Sequence, residues 1–161
     1  MRGPTLIPAL LALTLSVPTV AEDVAPYVGT WRLDVSRSTF FSGPGPRSRV
    51  VTITQGSDGT FRYTSESVGT EGRETRFEST YRLDGKEVPL SLSQDETISV
   101  KAEGRLETEW VLRKAGKVIR TGRTIYDRDG RTRTNVSRRK ASATRARARR
   151  TTTSARTDRI R

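Results

Sequence analysis

The sequence predicts an all-β protein, an antiparallel meander closing into a small barrel. Three observations predict it. From Val28 onward apolar and polar residues alternate at period two, the pattern of half-buried strands. Gly-bearing turn sequences punctuate that alternation at intervals of about ten residues. They are Ser57-Asp58-Gly59, Thr70-Glu71-Gly72, Asp84-Gly85-Lys86, Glu103-Gly104-Arg105, Ala115-Gly116-Lys117 and Asp129-Gly130. Lastly, no segment beyond residue 21 sustains a helical period.

The elements follow in order. Met1-Arg2 is a short positive start, and Leu6 to Val17 an uncharged apolar stretch containing Ile7, Leu10, Leu11, Leu13 and Leu15. Pro18 breaks it, and Thr19-Val20-Ala21 presents small residues where a signal peptidase reads. Residues 1–21 are therefore expected to be a signal peptide, and the mature protein to be periplasmic or extracellular. The stretch is interrupted by Pro8 and too short to span a bilayer, so no transmembrane anchor is expected after cleavage. Strands are expected at 28–35, 47–55, 60–66, 73–83, 97–102, 105–113 and 118–126, with a short one at 131–136. Ser42-Gly43-Pro44-Gly45-Pro46 reads as the loop after the first strand. Alternation places Phe61 and Tyr63 on one inward face, and Thr75, Phe77, Ser79, Tyr81 and Leu83 on another. It does the same for Ile98, Val100 and Ala102, and for Leu106, Thr108, Trp110 and Leu112. Ile119, Thr121, Arg123 and Ile125 continue the pattern, with Arg123 standing where an apolar residue is due. A sheet of this size must protect its edges, and closure into a barrel does so.

Composition excludes much chemistry. The 161 residues include no His and no Cys, which removes disulfides, thiolate and imidazole metal sites, and Ser-His-Asp catalysis. Two carboxylates suffice for acid/base work. The pairs Glu107/Glu109 and Glu74/Glu78, however, project from outward strand faces and read as solvated. Asp127-Arg128-Asp129-Gly130 opens like a calcium loop, but no bidentate Glu follows, so a β-turn is expected. No catalytic residue, cofactor or metal is expected.

Gly29-Thr30-Trp31-Arg32-Leu33 carries a Gly-x-Trp first strand, continued by Asp34-Val35-Ser36-Arg37-Ser38-Thr39-Phe40 and Gly43-Pro44-Gly45-Pro46. Further on stand Tyr81-Arg82-Leu83-Asp84-Gly85-Lys86-Glu87-Val88-Pro89, then Gly116 to Arg123, then Asp129-Gly130-Arg131-Thr132-Arg133-Thr134. In this order the motifs resemble a family of small exported bacterial proteins with a lipocalin-like β-barrel and no assigned reaction. The resemblance covers residues 28 to about 137 and implies a cup for a small apolar molecule, by analogy of fold. The candidate cup residues are Trp31, Phe61, Tyr63, Phe77, Tyr81 and Trp110; the alternative for each, Trp31 above all, is plain core packing. For Arg123 three readings stand: a buried acid partner, stacking on Trp31 as in lipocalin barrels, or a slip of strand phase.

Charge sits in one place. Residues 22–137 hold 19 Lys and Arg against 17 Asp and Glu, whereas 138–161 hold 10 against Asp158 alone. After Val136 the one aliphatic residue larger than Ala is Ile160, so 138–161 is expected to be a disordered, basic, low-complexity tail. The resembled family continues there into a further strand. The Arg/Ala/Thr run is what a shifted frame of GC-rich coding DNA yields, and without that strand residues 131–137 form an open edge. Arg145, Arg147, Arg149 and Arg150 are the candidate contacts to a polyanion, such as an acidic envelope polymer. Without aromatic residues the tail is not expected to bind nucleic acid specifically. The function expected is non-enzymatic binding of a small, partly apolar ligand in the cup; the alternative is envelope association through the Arg-rich tail.

Overall fold

A computed structural model describes residues 26–40, 43–91, 93–140 and 152–160. Ten strands make up these segments: β1 (Gly29–Thr39), β2 (Ser48–Gln55), β3 (Phe61–Val68), β4 (Glu74–Tyr81), β5 (Asp84–Leu90), β6 (Ser93–Ala102), β7 (Glu107–Lys114), β8 (Lys117–Tyr126), β9 (Thr132–Arg139) and β10 (Thr152–Ile160). They form one antiparallel sheet in the order β4-β3-β2-β1-β10-β9-β8-β7-β6-β5, curled into a nearly closed, lipocalin-like barrel. Among the described residues there is no helix long and apolar enough to cross a membrane.

The last strand revises the expected tail. Thr152–Ile160 pairs with β1 through Trp31↔Arg159 and Leu33↔Thr157, and with β9 through Ala155↔Asn135 and Thr157↔Arg133. Arg138 and Arg139 complete β9. The tail is thus not one disordered unit: its far end closes the sheet, and residues 131–137 are no open edge. Residues 141–151, with Arg145, Arg147, Arg149 and Arg150, lie outside the described residues, as do the expected signal-peptide residues 1–21.

Two further boundaries moved. The sequence reads Asp84-Gly85-Lys86 as a turn and assigns no strand to 87–96, yet Asp84–Leu90 pairs with β6 as an edge strand, where a proline is tolerated. The β6 strand begins at Ser93, four residues ahead of the expected start. No ladder joins β4 to β5 among the described residues. There the Ser91 hydroxyl accepts from the Glu78 backbone N–H at 3.1 Å and donates to the Glu78 carbonyl at 2.8 Å.

One end of the barrel is solid. Trp31 is fully buried among Tyr27, Val51, Ile53, Phe61 and Tyr126. The rings meet edge to face, Tyr27–Tyr126 at 5.0 Å and Trp31–Tyr126 at 5.7 Å between centroids, the arrangement the ring quadrupoles favour. Arg159 seals this end. Its guanidinium lies 5.4 Å from the Trp31 ring centre and donates to the carbonyls of Val28 and Gly130. A side chain at Gly29 would run into that guanidinium, since a Cβ there would sit 2.7 Å from Arg159 Nε. Elsewhere on the seam, Arg37 ties β1 to β10 by pairing with both Asp34 and Asp158.

Candidate functional site

Beyond the solid end the interior is not filled. A cavity of about 520 Å³ runs from Tyr126 and Arg133 to the other rim, where Phe40, Pro44 and Pro46 stand. Its two walls differ in chemistry, because strand alternation turns different residues inward on each side. On β3, β4, β6 and β7 the inward residues are mostly apolar: Tyr63, Phe77, Tyr81, Ile98, Val100, Trp110 and Leu112. On β8, β9 and β10 they are mostly polar: Arg120, Thr124, Arg133, Asn135, Ser137, Thr153 and Thr157. Asn135 Nδ2 donates to Thr124 Oγ1 at 3.0 Å, and Arg133 Nε to Thr157 Oγ1 at 3.1 Å.

Four of the six candidate cup residues, Tyr63, Phe77, Tyr81 and Trp110, line this cavity. Trp31 and Phe61 lie in the solid end, where they pack and do not line. Tyr63 and Phe77 meet edge to face at 5.7 Å. Trp110 fits because its neighbour on β8 is Gly122: a Cβ there would fall 2.3 Å from the indole. Burial pushes the Tyr81 and Tyr126 hydroxyls well above the usual phenol range, so both stay protonated at neutral pH.

Arg123 does not face inward. It lies on the outer surface and pairs with Glu107 at 3.0 Å. The phase assumed for this strand is inverted: Arg120, Thr124 and Tyr126 line the interior, and Ile125 faces out. A guanidinium does sit by Trp31, but it belongs to Arg159 and to Arg133, which is 5.8 Å from the ring centre. Glu109 and Glu74 are exposed, and Glu78 pairs with Arg76 on the outside. Asp127 to Gly130 forms a tight turn closed by Gly130 N–H on the Asp127 carbonyl at 2.9 Å. Among the described residues no group of three acidic side chains is placed to hold a metal ion.

The interior arginines are what sequence reasoning missed. Arg49, Arg120 and Arg133 all line the cavity. Arg133 is 5% exposed, with Trp31 and Tyr63 ring faces 5.8 and 6.0 Å away. Burial, and then the like charges of Arg139 and Arg49, hold the Arg120 guanidinium below its ordinary value. The signal for Arg120 was the Gly at position 122: read as an inward position without a side chain, it restores the right phase.

Neither a protein-family profile nor a curated protein matches this sequence. Solved structures do match. The wild-type fluorescent protein UnaG superposes with a TM-score of 0.52 at 14% identity, over 84% of this chain and 98% of that one. A single-residue variant of UnaG gives 0.56 at 16% identity, over 84% and 96%. The likeness is one of fold. It leaves the cavity's chemistry to this chain's own residues.

Proposed function

We propose that this protein is an exported carrier or sensor that binds a small, partly apolar molecule in its barrel, without catalysis. The observation that carries this reading is the cavity itself. Small barrels fill their interiors with side chains; here about 520 Å³ is left open behind an aromatic wall. That volume falls in the range of small-molecule sites, roughly 300–1,000 Å³. The motif resemblance of residues 28 to 137 to exported bacterial proteins, with the residues at 1–21, supports export.

Titration with phenylnaphthylamine, a neutral apolar fluorophore, tests the reading. Saturable fluorescence enhancement at one site per chain is expected. Ala155→Trp, which fills the cavity from β10, is expected to abolish the enhancement while leaving the far-ultraviolet circular dichroism unchanged. Enhancement that survives in Ala155→Trp overturns the proposal. Export is tested separately, by fractionation and N-terminal sequencing, with a mature chain beginning at Glu22 as the expected result.

A further inference from the structure

The cavity's charge is one-sided. Three guanidiniums line it, those of Arg49, Arg120 and Arg133, against a single carboxylate, Glu96. Glu96 is itself engaged, with Lys114 Nζ 3.3 Å away. Arg133 is served by two ring faces and by Thr157. The other two are not served in this way. Arg49 Nε is buried without a hydrogen-bond partner, and neither Arg49 nor Arg120 has an ion-pair partner among the described residues. The β8–β9 register puts Arg120 directly opposite Arg139, so two like charges share the inward face near the rim. Directly opposed like charges destabilise a sheet, and a half-buried guanidinium without an anion keeps part of its desolvation cost uncompensated. A protein built only for stability gains nothing from this arrangement.

Arg49 stands on β2 and Arg120 on β8, four places apart in the sheet order and so on facing sides of the lumen. We propose that the ligand is an amphiphilic anion whose acidic head sits at the open rim between Arg49 and Arg120, with its apolar body inward against Tyr63, Phe77, Tyr81 and Trp110. The head is an oxyanion, carboxylate or sulfonate, because the planar guanidinium fork matches two oxygens at once. Placed there, it supplies the acceptor that Arg49 Nε lacks and relieves the repulsion between Arg120 and Arg139. The inference rests on the cavity-binding reading above, and the two fail separately.

The test compares dansylated undecanoic acid with its methyl ester, two probes with one body and different heads. The wild-type protein is expected to bind the acid on the order of tenfold more tightly than the ester. Arg49→Gln with Arg120→Gln is expected to remove that preference, so that the acid binds no more tightly than the ester. Equal wild-type affinities overturn the anion proposal while leaving cavity binding intact; no binding of either probe overturns cavity binding. If Arg133→Gln alone removes the preference and the rim pair keeps it, the head lies at the floor and the proposed orientation is wrong. The wild-type comparison needs no variant to fold, so it decides the anion question by itself. The acid is also expected to raise the wild-type Tm more than the ester does at equal concentration.

Discussion

The two ends of the barrel use the same strands for opposite purposes. At the Trp31 end, Tyr27, Val51, Ile53, Phe61 and Tyr126 pack around the indole, the rings edge to face, and Arg159 is spent on a ring face and two carbonyls. At the rim, Arg49 and Arg120 have no ion-pair partner among the described residues, and the aromatic wall borders the cavity. Every one of β1, β2, β3, β8 and β10 contributes to both halves. The difference shows that stability and recognition are separable along one strand, residue by residue. One half holds the sheet closed so that the other can remain unfilled.

The comparison is broken most severely by ending the chain before Thr152. Both β1 and β9 lose the strand between them, leaving each paired on one edge only, and cooperative unfolding is expected to vanish in a denaturant titration. Next comes Trp31→Ala. It is expected to cost about 3–5 kcal/mol, as large core truncations do. Trp110→Ala, against the open half, is expected to cost roughly half that, because part of its ring already meets the cavity. Equal costs at the two tryptophans would dissolve the distinction between the ends.

Smaller changes sharpen it. Arg120→Leu is expected to stabilise the unliganded protein by about 1 kcal/mol, since it removes a half-buried charge opposed to Arg139. A destabilised Arg120→Leu protein would mean that this residue packs and does not wait for an anion. The pH response tests the β1–β10 tie. Hydrogen bonds from Ser36 and then Arg37 lower the Asp34 carboxyl from 3.8 to about 2. A depressed folded value gives a contribution present above the unfolded value and lost as pH falls through the folded one. The stability difference between wild type and Asp34→Asn is therefore expected to be constant above pH 5 and to shrink from about pH 4 to pH 2. Least of all, Ala115→Gly in the β7–β8 turn is expected to stabilise by about 0.5–1 kcal/mol, because Ala115 holds φ at 46°.

Only part of the solid end was legible in the sequence. Trp31 and Phe61 stood out, as did most turns between strands, but Tyr27, Val51 and Ile53 did not, and the inverted phase of β8 put Tyr126 on the wrong face. The β10 strand did not stand out either. Its inward residues are Thr153, Ala155 and Thr157, which face a cavity and need no bulk, so a search for large aliphatics read them as tail. The β8 phase failed for a related cause: Gly122 has no side chain and Arg120 no hydrophobic one, leaving Ile119 and Ile125 to suggest the opposite face. The β5 strand carries Gly85 and Pro89, which mark turns in most contexts and are tolerated here because β5 is an edge. The aromatic wall of the cavity was thus visible from strand alternation, and its charged wall was not.

Ser91 gives the barrel a preferred place to come apart. A ring of ten strands with every neighbour paired has no weak position, but this one is a ribbon whose free borders, β4 and β5, meet, among the described residues, through one hydroxyl bridging both backbone groups of Glu78. Among those residues, opening that junction breaks two hydrogen bonds, whereas opening any other breaks a whole ladder. Amide protons along the free border of β4 should therefore exchange with solvent ahead of those in β1, β9 and β10. Ser91→Ala should widen that interval without altering the midpoint of global unfolding.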